Sequence, residues 1–221
     1  MKRDFSNWWY YYKYYVIVGI LLLVCLIRLI AAQTGLFQKK PDLQVAYVGK
    51  LPLPDDTAAA LKEAFTAAAG DYNRDGMVLV EIHQYVSGNT DFQGTDASEQ
   101  ARYEGASELM LAGDINDCDS YFFLMESPDQ FQTEWHILAA PDGSCPDPTD
   151  YETGDKTIRF DQLRSFQNMD LGTYTSSLLN ITVSGDNREV LDHLYLGRRC
   201  FYTTKKTPNS TELDQLWKEL I

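Results

Sequence analysis

The chain begins with one long apolar stretch and continues with shorter segments in which apolar and polar positions alternate. Residues 16–27 (VIVGILLLVCLI) are uninterrupted apolar residues, and the stretch resumes after Arg28. With its flanking positions it covers residues 14–32, which is at the lower limit of a bilayer span. The aromatic residues 8–12 (WWYYY) are typical of a membrane–water interface. The pattern predicts a transmembrane signal-anchor helix over 14–32, after a short basic and aromatic tail at 1–13.

A cleaved signal peptide is the alternative interpretation, since it also has a basic start before an apolar run. Cleavage after Ala32 would place Ile30 where signal peptidases prefer a small residue, so the anchor is favoured. Basic residues flank the span almost equally, and the positive-inside rule therefore discriminates weakly. Because a short N-terminal tail usually stays in the cytoplasm, we expect a single-pass protein of the cell membrane with its C-terminal domain outside the cytoplasm.

Beyond a linker at 33–42, the pattern predicts an α/β domain over residues 43–221, with one mixed or parallel sheet flanked by helices. Strands are predicted at 43–48, 77–86, 120–125, 135–140 and 156–160. Helices are predicted at 57–69 and 96–112, as a single turn at 128–132, and after Asp186 and Asn209. The helix after Asp186 is expected to carry Val190, Leu191, Leu194 and Phe201 on one side. Ligands of such sheets bind beyond the carboxyl ends of the strands, here near 48–53, 85–88 and 125–128.

Charge and cysteine content narrow the classes of function. Residues 41–221 carry 13 Lys and Arg against 31 Asp and Glu, a formal balance of −18. This charge disfavours nucleic-acid binding and favours cationic ligands or basic partners. Three cysteines follow the apolar stretch, and their odd number excludes complete pairing. A bridge between Cys118 and Cys145, both in turn-like surroundings, and free thiols are equally compatible with this pattern.

The hexapeptide 71–76 (DYNRDG) matches the first half of an EF-hand calcium loop. Asp71, Asn73 and Asp75 are the candidate calcium ligands. The position of the bidentate Glu is occupied by Ile82, with Glu81 one place early. Turns rich in Asp and Asn between a helix and a strand are also common without a metal, so calcium is the less favoured interpretation, and no other cofactor is predicted.

Catalytic patterns are weak in this sequence. His83, His136 and His193 are scattered without the spacing of a metal site. No nucleophile elbow, phosphate-binding loop or dinucleotide fingerprint is present in the sequence. We therefore expect no catalysis, and keep an enzyme of unknown class as the third hypothesis on function.

Residues 44–132 resemble the first lobe of an extracellular solute-binding protein, of the type 2 periplasmic-binding-protein class that serves ABC importers. The similarity rests on the opening LQVAYVG, the helix at 57–69, the strand VLVEIHQYV, the helix ending ELMLAGD and the segment DCDSYFFLMESPDQF. It implies a shortened, membrane-anchored relative with a single lobe. The last segment resembles the strand that leads to the hinge and the ligand cleft in that family.

Aromatic residues near the predicted strand ends are candidates for stacking on a sugar or peptide: Tyr85, Phe92, Tyr121 and Trp135. Packing in the core is the simpler interpretation of the same residues. The leading hypothesis is a membrane-anchored extracytoplasmic binding or interaction module, whose partners are the bilayer through 14–32 and a small molecule or protein outside the cell. The runner-up is a structural or assembly component of a cell-envelope complex without a small-molecule ligand.

Overall fold

The structure is a computed structural model that describes residues 2–34, 39–87, 97–178 and 181–221. Two compact units divide the chain, Met1–Lys40 and Pro41–Ile221. The first contains α1 (Lys2–Thr34), a single helix of 33 residues. Within it, Trp8–Leu29 is long and apolar enough to cross a membrane by length and composition, a property that signal sequences share. The predicted N-terminal apolar helix is confirmed.

The second unit is an α/β domain built on a five-stranded mixed sheet in the order β2-β1-β3-β7-β4, with a separate two-stranded hairpin. The strands are β1 (Leu43–Gly49), β2 (Val80–Val86), β3 (Phe122–Met125), β4 (Thr157–Arg159), β5 (Thr173–Leu178), β6 (Ile181–Asp186) and β7 (Tyr195–Arg198). The helices are α2 (Asp55–Ala68), α3 (Ala97–Asp117), α4 (Pro128–Trp135), α5 (Asn187–Leu191) and α6 (Ser210–Leu220), with a 3₁₀ turn at Phe160–Gln162. The predicted mixed α/β class is confirmed.

The sheet is covered on both faces, and the sequences of its central strands reflect this burial. The three strands predicted first are parallel, with β1 between β2 and β3. Side chains of β1 alternate between two cores: Val45 and Tyr47 face the core that contains α2 and α6, whereas Ala46 and Val48 face the core that contains α3 and α4. Burial on both faces explains why β1 and β3 are almost continuously apolar.

The strand predicted at 135–140 is wrong. α4 continues to Trp135, and His136 ends it in the left-handed conformation with φ 51°. Only Leu138 forms a β-bridge, to Arg199, while its amide donates to the side-chain oxygen of Gln132 at 3.0 Å. Ile137, Leu138 and Ala139 are buried, so the apolar pattern of this segment reports burial rather than a strand.

The helix predicted after Asp186 is much shorter than expected. Asp186 caps it as predicted, accepting from the amide of Arg188 at 2.8 Å, but α5 ends at Leu191. The following residues form β7, which pairs antiparallel with both β3 and β4. Leu194 and Leu196 are both buried. Leu194 lies three positions after Leu191, which fits a helix, whereas Leu196 lies two positions after Leu194, which fits a strand. The apolar pattern alone therefore did not show where the helix ends.

The disulfide in this domain joins Cys145 to Cys200, 55 residues apart in sequence. The pairing considered from the sequence, Cys118 with Cys145, is therefore wrong. Cys118 is a buried free thiol at the end of α3, 3.7 Å from the carbonyl oxygen of Lys205. Cross-linking across a loop of this length stabilises a fold by about 4 kcal/mol through loop-closure entropy. The bridge holds the Asp-rich loop after Ala140 against the end of β7.

Candidate functional site

The most distinctive feature of the domain is the edge of the sheet where the parallel strands end. The connection after β1 leads to α2, which packs in one core, and the connection after β3 leads to α4, which packs in the other. Adjacent strands whose connections leave toward opposite faces define a topological switch point, where α/β sheets open a crevice for ligands. The crevice between β1 and β3 is lined by Gly49, Lys50, Glu126, Ser127 and Gln130, among others.

Glu126 is held in place in the lining of this crevice. Its carboxylate accepts a hydrogen bond from the Tyr47 hydroxyl at 2.8 Å and from the Lys50 amide at 3.1 Å. The Tyr47 hydroxyl also lies 2.9 Å from the carbonyl oxygen of Leu51, so its one hydrogen is shared between two acceptors. Burial and the adjacent Glu126 charge raise the pKa of Tyr47 far above its usual range. Tyr47 therefore stays a neutral donor that fixes the Glu126 side chain.

Gly49 allows this close packing. A Cβ at Gly49 would collide with the Tyr47 hydroxyl and lie 2.7 Å from Oε1 of Glu126. The end of β1 thus requires a residue without a side chain for Tyr47 and Glu126 to meet.

A wider groove of about 670 Å³ continues from Glu126 across the same edge, between the start of α4 and the end of β4. Most of its described lining residues carry polar side chains: Glu126, Ser127, Pro128, Asp129, Gln130, Thr153, Gly154, Thr157, Arg159, Gln162 and Tyr195. Asp129 accepts a short hydrogen bond from Thr153. The Arg159 guanidinium is paired with Asp161 at 2.8 Å, which neutralises the one cation among these residues.

The groove is suited to hydrogen bonding. Two carboxylates accept, two amide side chains both donate and accept, and the hydroxyls of Thr157 and Tyr195 add further partners. The described residues of its lining include no His and no Cys. The arrangement favours recognition of a polar molecule that donates hydrogen bonds.

The structure separates the aromatic residues predicted to stack on a ligand. Tyr85 and Tyr121 are buried in different cores, and their hydroxyls donate to Asp114 at 2.8 Å and to Asp214 at 2.5 Å. Trp135 is half-buried at the end of α4 and packs against the core of Tyr85. Phe92 lies outside the described residues. None of the three described rings lines the groove.

Tyr85 belongs to a buried polar network centred on Asp114. The carboxylate of Asp114 accepts from the Ser120 amide at 2.9 Å and the Ser120 hydroxyl at 2.6 Å, and Nδ1 of His83 lies 3.9 Å away. Burial alone would raise the pKa of Asp114, but the contacts with His83, Ser120 and Tyr85 together lower it. The contact with Asp114 raises the pKa of His83, against the effect of its partial burial.

The predicted calcium ligands hold their own loop together. Asp71 accepts from the amides of Asp75 and Gly76 at 3.1 and 2.9 Å, and Asn73 accepts from Asp75 at 2.9 Å. Asp75 in turn accepts from the amide of Met77 at 3.0 Å. Among the described residues, no group of three or more His, Cys, Asp or Glu side chains is arranged to hold a metal ion. Backbone capping accounts for the Asp and Asn content of this turn.

Sequence reasoning located the edge of the groove but not its residues. The carboxyl ends of β1 and β3 were predicted near 48–53 and 125–128, and Glu126 and Gly49 lie at these ends. Arg159, Gln162 and Tyr195 were missed because they lie in β4, in the 3₁₀ turn after it and in β7. The antiparallel pairing of β4 with β7 has no local signal in the sequence. Glu126 itself had one: it is the first polar residue after the apolar run 122–125.

Comparison of the chain with protein-family models, with curated proteins and with solved structures gives no match.

Replacing Gly49 with Ala tests the packing at the crevice. We expect Gly49→Ala to lower the free energy of unfolding by about 1–3 kcal/mol, because the added methyl group displaces Tyr47 or Glu126. The matched control is Gly113→Ala in α3, where a Cβ meets nothing within 4 Å and helix propensity should add about 1 kcal/mol. Denaturant unfolding of the full chain in detergent measures both. A Gly49→Ala variant as stable as the native chain would contradict the close packing.

The Asp114 network predicts a specific dependence of stability on pH. The lowered pKa of Asp114 gives stability that is present above about pH 4, the unfolded value for Asp, and is lost as pH falls through the folded pKa. The raised pKa of His83 gives stability that is present below about pH 6.5 and is lost as pH rises through its folded pKa. We expect Asp114→Asn to lower the free energy of unfolding by about 3 kcal/mol. The difference in stability from the native chain should be largest between about pH 4 and 6.5.

The control for this experiment is Asp117→Asn on the same helix. Asp117 forms an exposed ion pair with Lys205 at 2.8 Å, so its loss should change stability by less than about 1 kcal/mol. Thermal or denaturant unfolding between pH 3 and 8 reports both variants. A difference between Asp114→Asn and the native chain that does not change with pH would exclude the network as its source.

Proposed function

We propose that the protein is a single-pass membrane protein whose C-terminal α/β domain binds a small polar solute outside the cytoplasm. The observation that carries this proposal is the polar groove at the topological switch point between β1 and β3. The bound molecule lies over the carboxyl edge of the sheet, near Glu126 and Asp129. This role agrees with the resemblance of residues 44–132 to one lobe of a solute-binding protein, and it involves no catalysis.

The charges of the groove define the class of ligand. Glu126 and Asp129 present carboxylates, Lys50 adds one cation at the crevice, and Arg159 is paired with Asp161. The unit beyond residue 40 carries a formal charge of −18, which repels anions over its whole surface. A neutral or cationic solute with several hydroxyl or amino groups therefore fits better than a phosphate or a carboxylate. Amino sugars, polyamines and short basic peptides have this chemistry.

Two features support a position outside the cytoplasm. The apolar segment Trp8–Leu29 of α1 has the length of a membrane span, and it serves in this proposal as an uncleaved signal anchor. The Cys145–Cys200 disulfide belongs in an oxidising compartment, because cytosolic thiols are kept reduced. Anchor and disulfide together support the proposed position of the domain outside the cytoplasm.

The redox state of the cysteines in living cells tests this orientation. We expect the chain, precipitated from living cells with acid and alkylated with a maleimide in denaturant, to gain two adducts, at Cys25 and Cys118. A domain in the cytoplasm would expose all four cysteines of the sequence to the reagent. Intact-mass measurement distinguishes the two cases. Protease added to the intact cells is the independent control, since it should degrade the domain without lysis.

Ligand binding is tested by thermal shift of the full chain in detergent with amino sugars, neutral sugars, polyamines, short peptides and divalent cations. We expect a ligand at tenfold excess over its Kd to raise Tm by about 3–6 °C. Asp129→Asn should reduce this shift, because it removes the charge of a groove carboxylate while the amide oxygen still accepts from Thr153. The matched control is Glu63→Gln, an exposed carboxylate on α2 outside the groove.

Two results would contradict the ligand proposal. One is a panel in which no compound changes Tm. The other is a shift that is equal in the native chain, in Asp129→Asn and in Glu126→Gln, which would place the ligand elsewhere on the domain.

A further inference from the structure

The outer edge of the sheet at β2 has main-chain groups directed away from the domain. The Ser87 amide donates to the carbonyl oxygen of Gly49 at 2.9 Å, and the carbonyl oxygen of Leu79 accepts from Asp42 at 2.8 Å. The main-chain N–H and C=O groups of odd-numbered β2 residues therefore bond to β1, and those of the even-numbered residues point away from β1. The Val86 amide confirms this direction, since it bonds away from β1 to the Ser107 hydroxyl at 2.7 Å.

Val80, Ile82 and Gln84 thus present their amide and carbonyl groups on the outer side. No described residue forms a hydrogen bond with the main chain of Ile82 or Gln84 on this side. Natural proteins protect such edges or use them to pair with another strand.

Space for a further strand lies directly beside this edge. A groove of about 460 Å³ separates β2 from α2, and it is lined by Ala58, Ala59, Lys62, Glu81, Ile82 and His83. The two alanines leave room at the level of Ile82, where a longer side chain on α2 would fill the gap. A second apolar side chain placed next to Ile82 would enter this space.

The side chains along this edge would match in charge those of a second copy related by a twofold axis. Glu81 and His83 lie on the same face of β2, with Glu81 Oε2 3.5 Å from His83 Nε2. Both side chains are partly exposed, at 40% and 37%. If two β2 strands run antiparallel with Ile82 opposite Ile82, each Glu81 lies opposite His83 of the other copy. When His83 is protonated, the opposite charges in this cross-strand relation attract.

We propose that two copies of this chain pair through their β2 edges, antiparallel about a twofold axis at Ile82, to form one continuous ten-stranded sheet. The two Ile82 residues exchange main-chain hydrogen bonds, and Val80 of each copy does so with Gln84 of the other. The axis is normal to the sheet, so each Ile82 side chain enters the groove beside α2 of its partner. Glu81 and His83 of the two copies alternate in charge on the opposite face, and His83 also faces Asp114 of its own chain.

The hydrogen bonds of this pairing are tested by Ile82→Pro. Proline removes only the amide that points outward, so the ladder to β1 is retained. The loss of the two central hydrogen bonds should raise the dimer dissociation constant about thirtyfold. Ile82→Val keeps the amide and serves as the control. Sedimentation equilibrium of the full chain in density-matched detergent measures the association of all three chains.

Cysteine cross-linking tests the register. Ile82→Cys should form a disulfide-linked dimer under mild oxidation, because the two positions face each other. Gln84→Cys on the same edge should not, since its two copies are offset by four residues, roughly 13 Å. A mixture of Val80→Cys and Gln84→Cys chains should restore the cross-link, and the parent chain controls for Cys25 and Cys118.

Each outcome of these experiments either supports the pairing or overturns it. Concentration-dependent dimers that Ile82→Pro weakens, with cross-linking at Ile82 and not at Gln84, support the pairing. Monomers at all concentrations overturn it. Dimers that Ile82→Pro leaves unchanged, or equal cross-linking at both positions, also overturn it, because association then occurs through another surface such as α1.

Discussion

The parallel pairing of β1 with β3 is the constraint on which the rest of the domain depends. Both strands are buried on both faces, so α2 and α6 must cover one face while α3 and α4 cover the other. The connections after β1 and β3 consequently diverge, and their separation creates the crevice that Glu126 occupies. The groove is thus a geometric result of covering an apolar sheet twice. Its polarity comes from residues such as Glu126 and Asp129 at the first positions beyond the buried strands.

The predictability of each element from the sequence depended on whether its signal was local. β1, α2 and β3 were recognised because apolar periodicity and flanking turn residues lie within each segment. β4 was placed at 156–160, but its partner β7 was read as part of a helix, because Leu191 and Leu194 fit helical spacing. The Cys145–Cys200 pair was missed because the antiparallel bridge of Leu138 to Arg199, which brings their two segments together, has no local signal in the sequence. Half of the groove is contributed by this antiparallel part of the sheet.

The electrostatics of the domain follow from where its few cations lie. Arg198 is buried and bonds to Asp214 of α6 and to the carbonyl oxygen of Pro141 at 2.8 Å. Lys156 is buried in the Asp-rich loop, with Nζ 2.9 Å from Asp150. Arg199 caps the end of α3 through the carbonyl oxygen of Ile115 at 2.6 Å. Arg198 and Arg199 connect the end of β7 to α6, to Pro141 and to α3. The burial of all three cations leaves the surface more acidic than composition alone suggests.

The two proposals place different demands on the same sheet. A ligand at the carboxyl edge contacts the ends of β3 and β4, whereas pairing at β2 uses the middle of the strand at the other end of the strand order. The two surfaces therefore do not compete for the same side chains. Anchoring in one membrane would confine the copies to a plane and raise their effective concentration, so even a short edge with few contacts could pair there. Because β1 joins the paired edge to the crevice, any shift of β2 on pairing would reach Gly49 and Glu126 through a single strand.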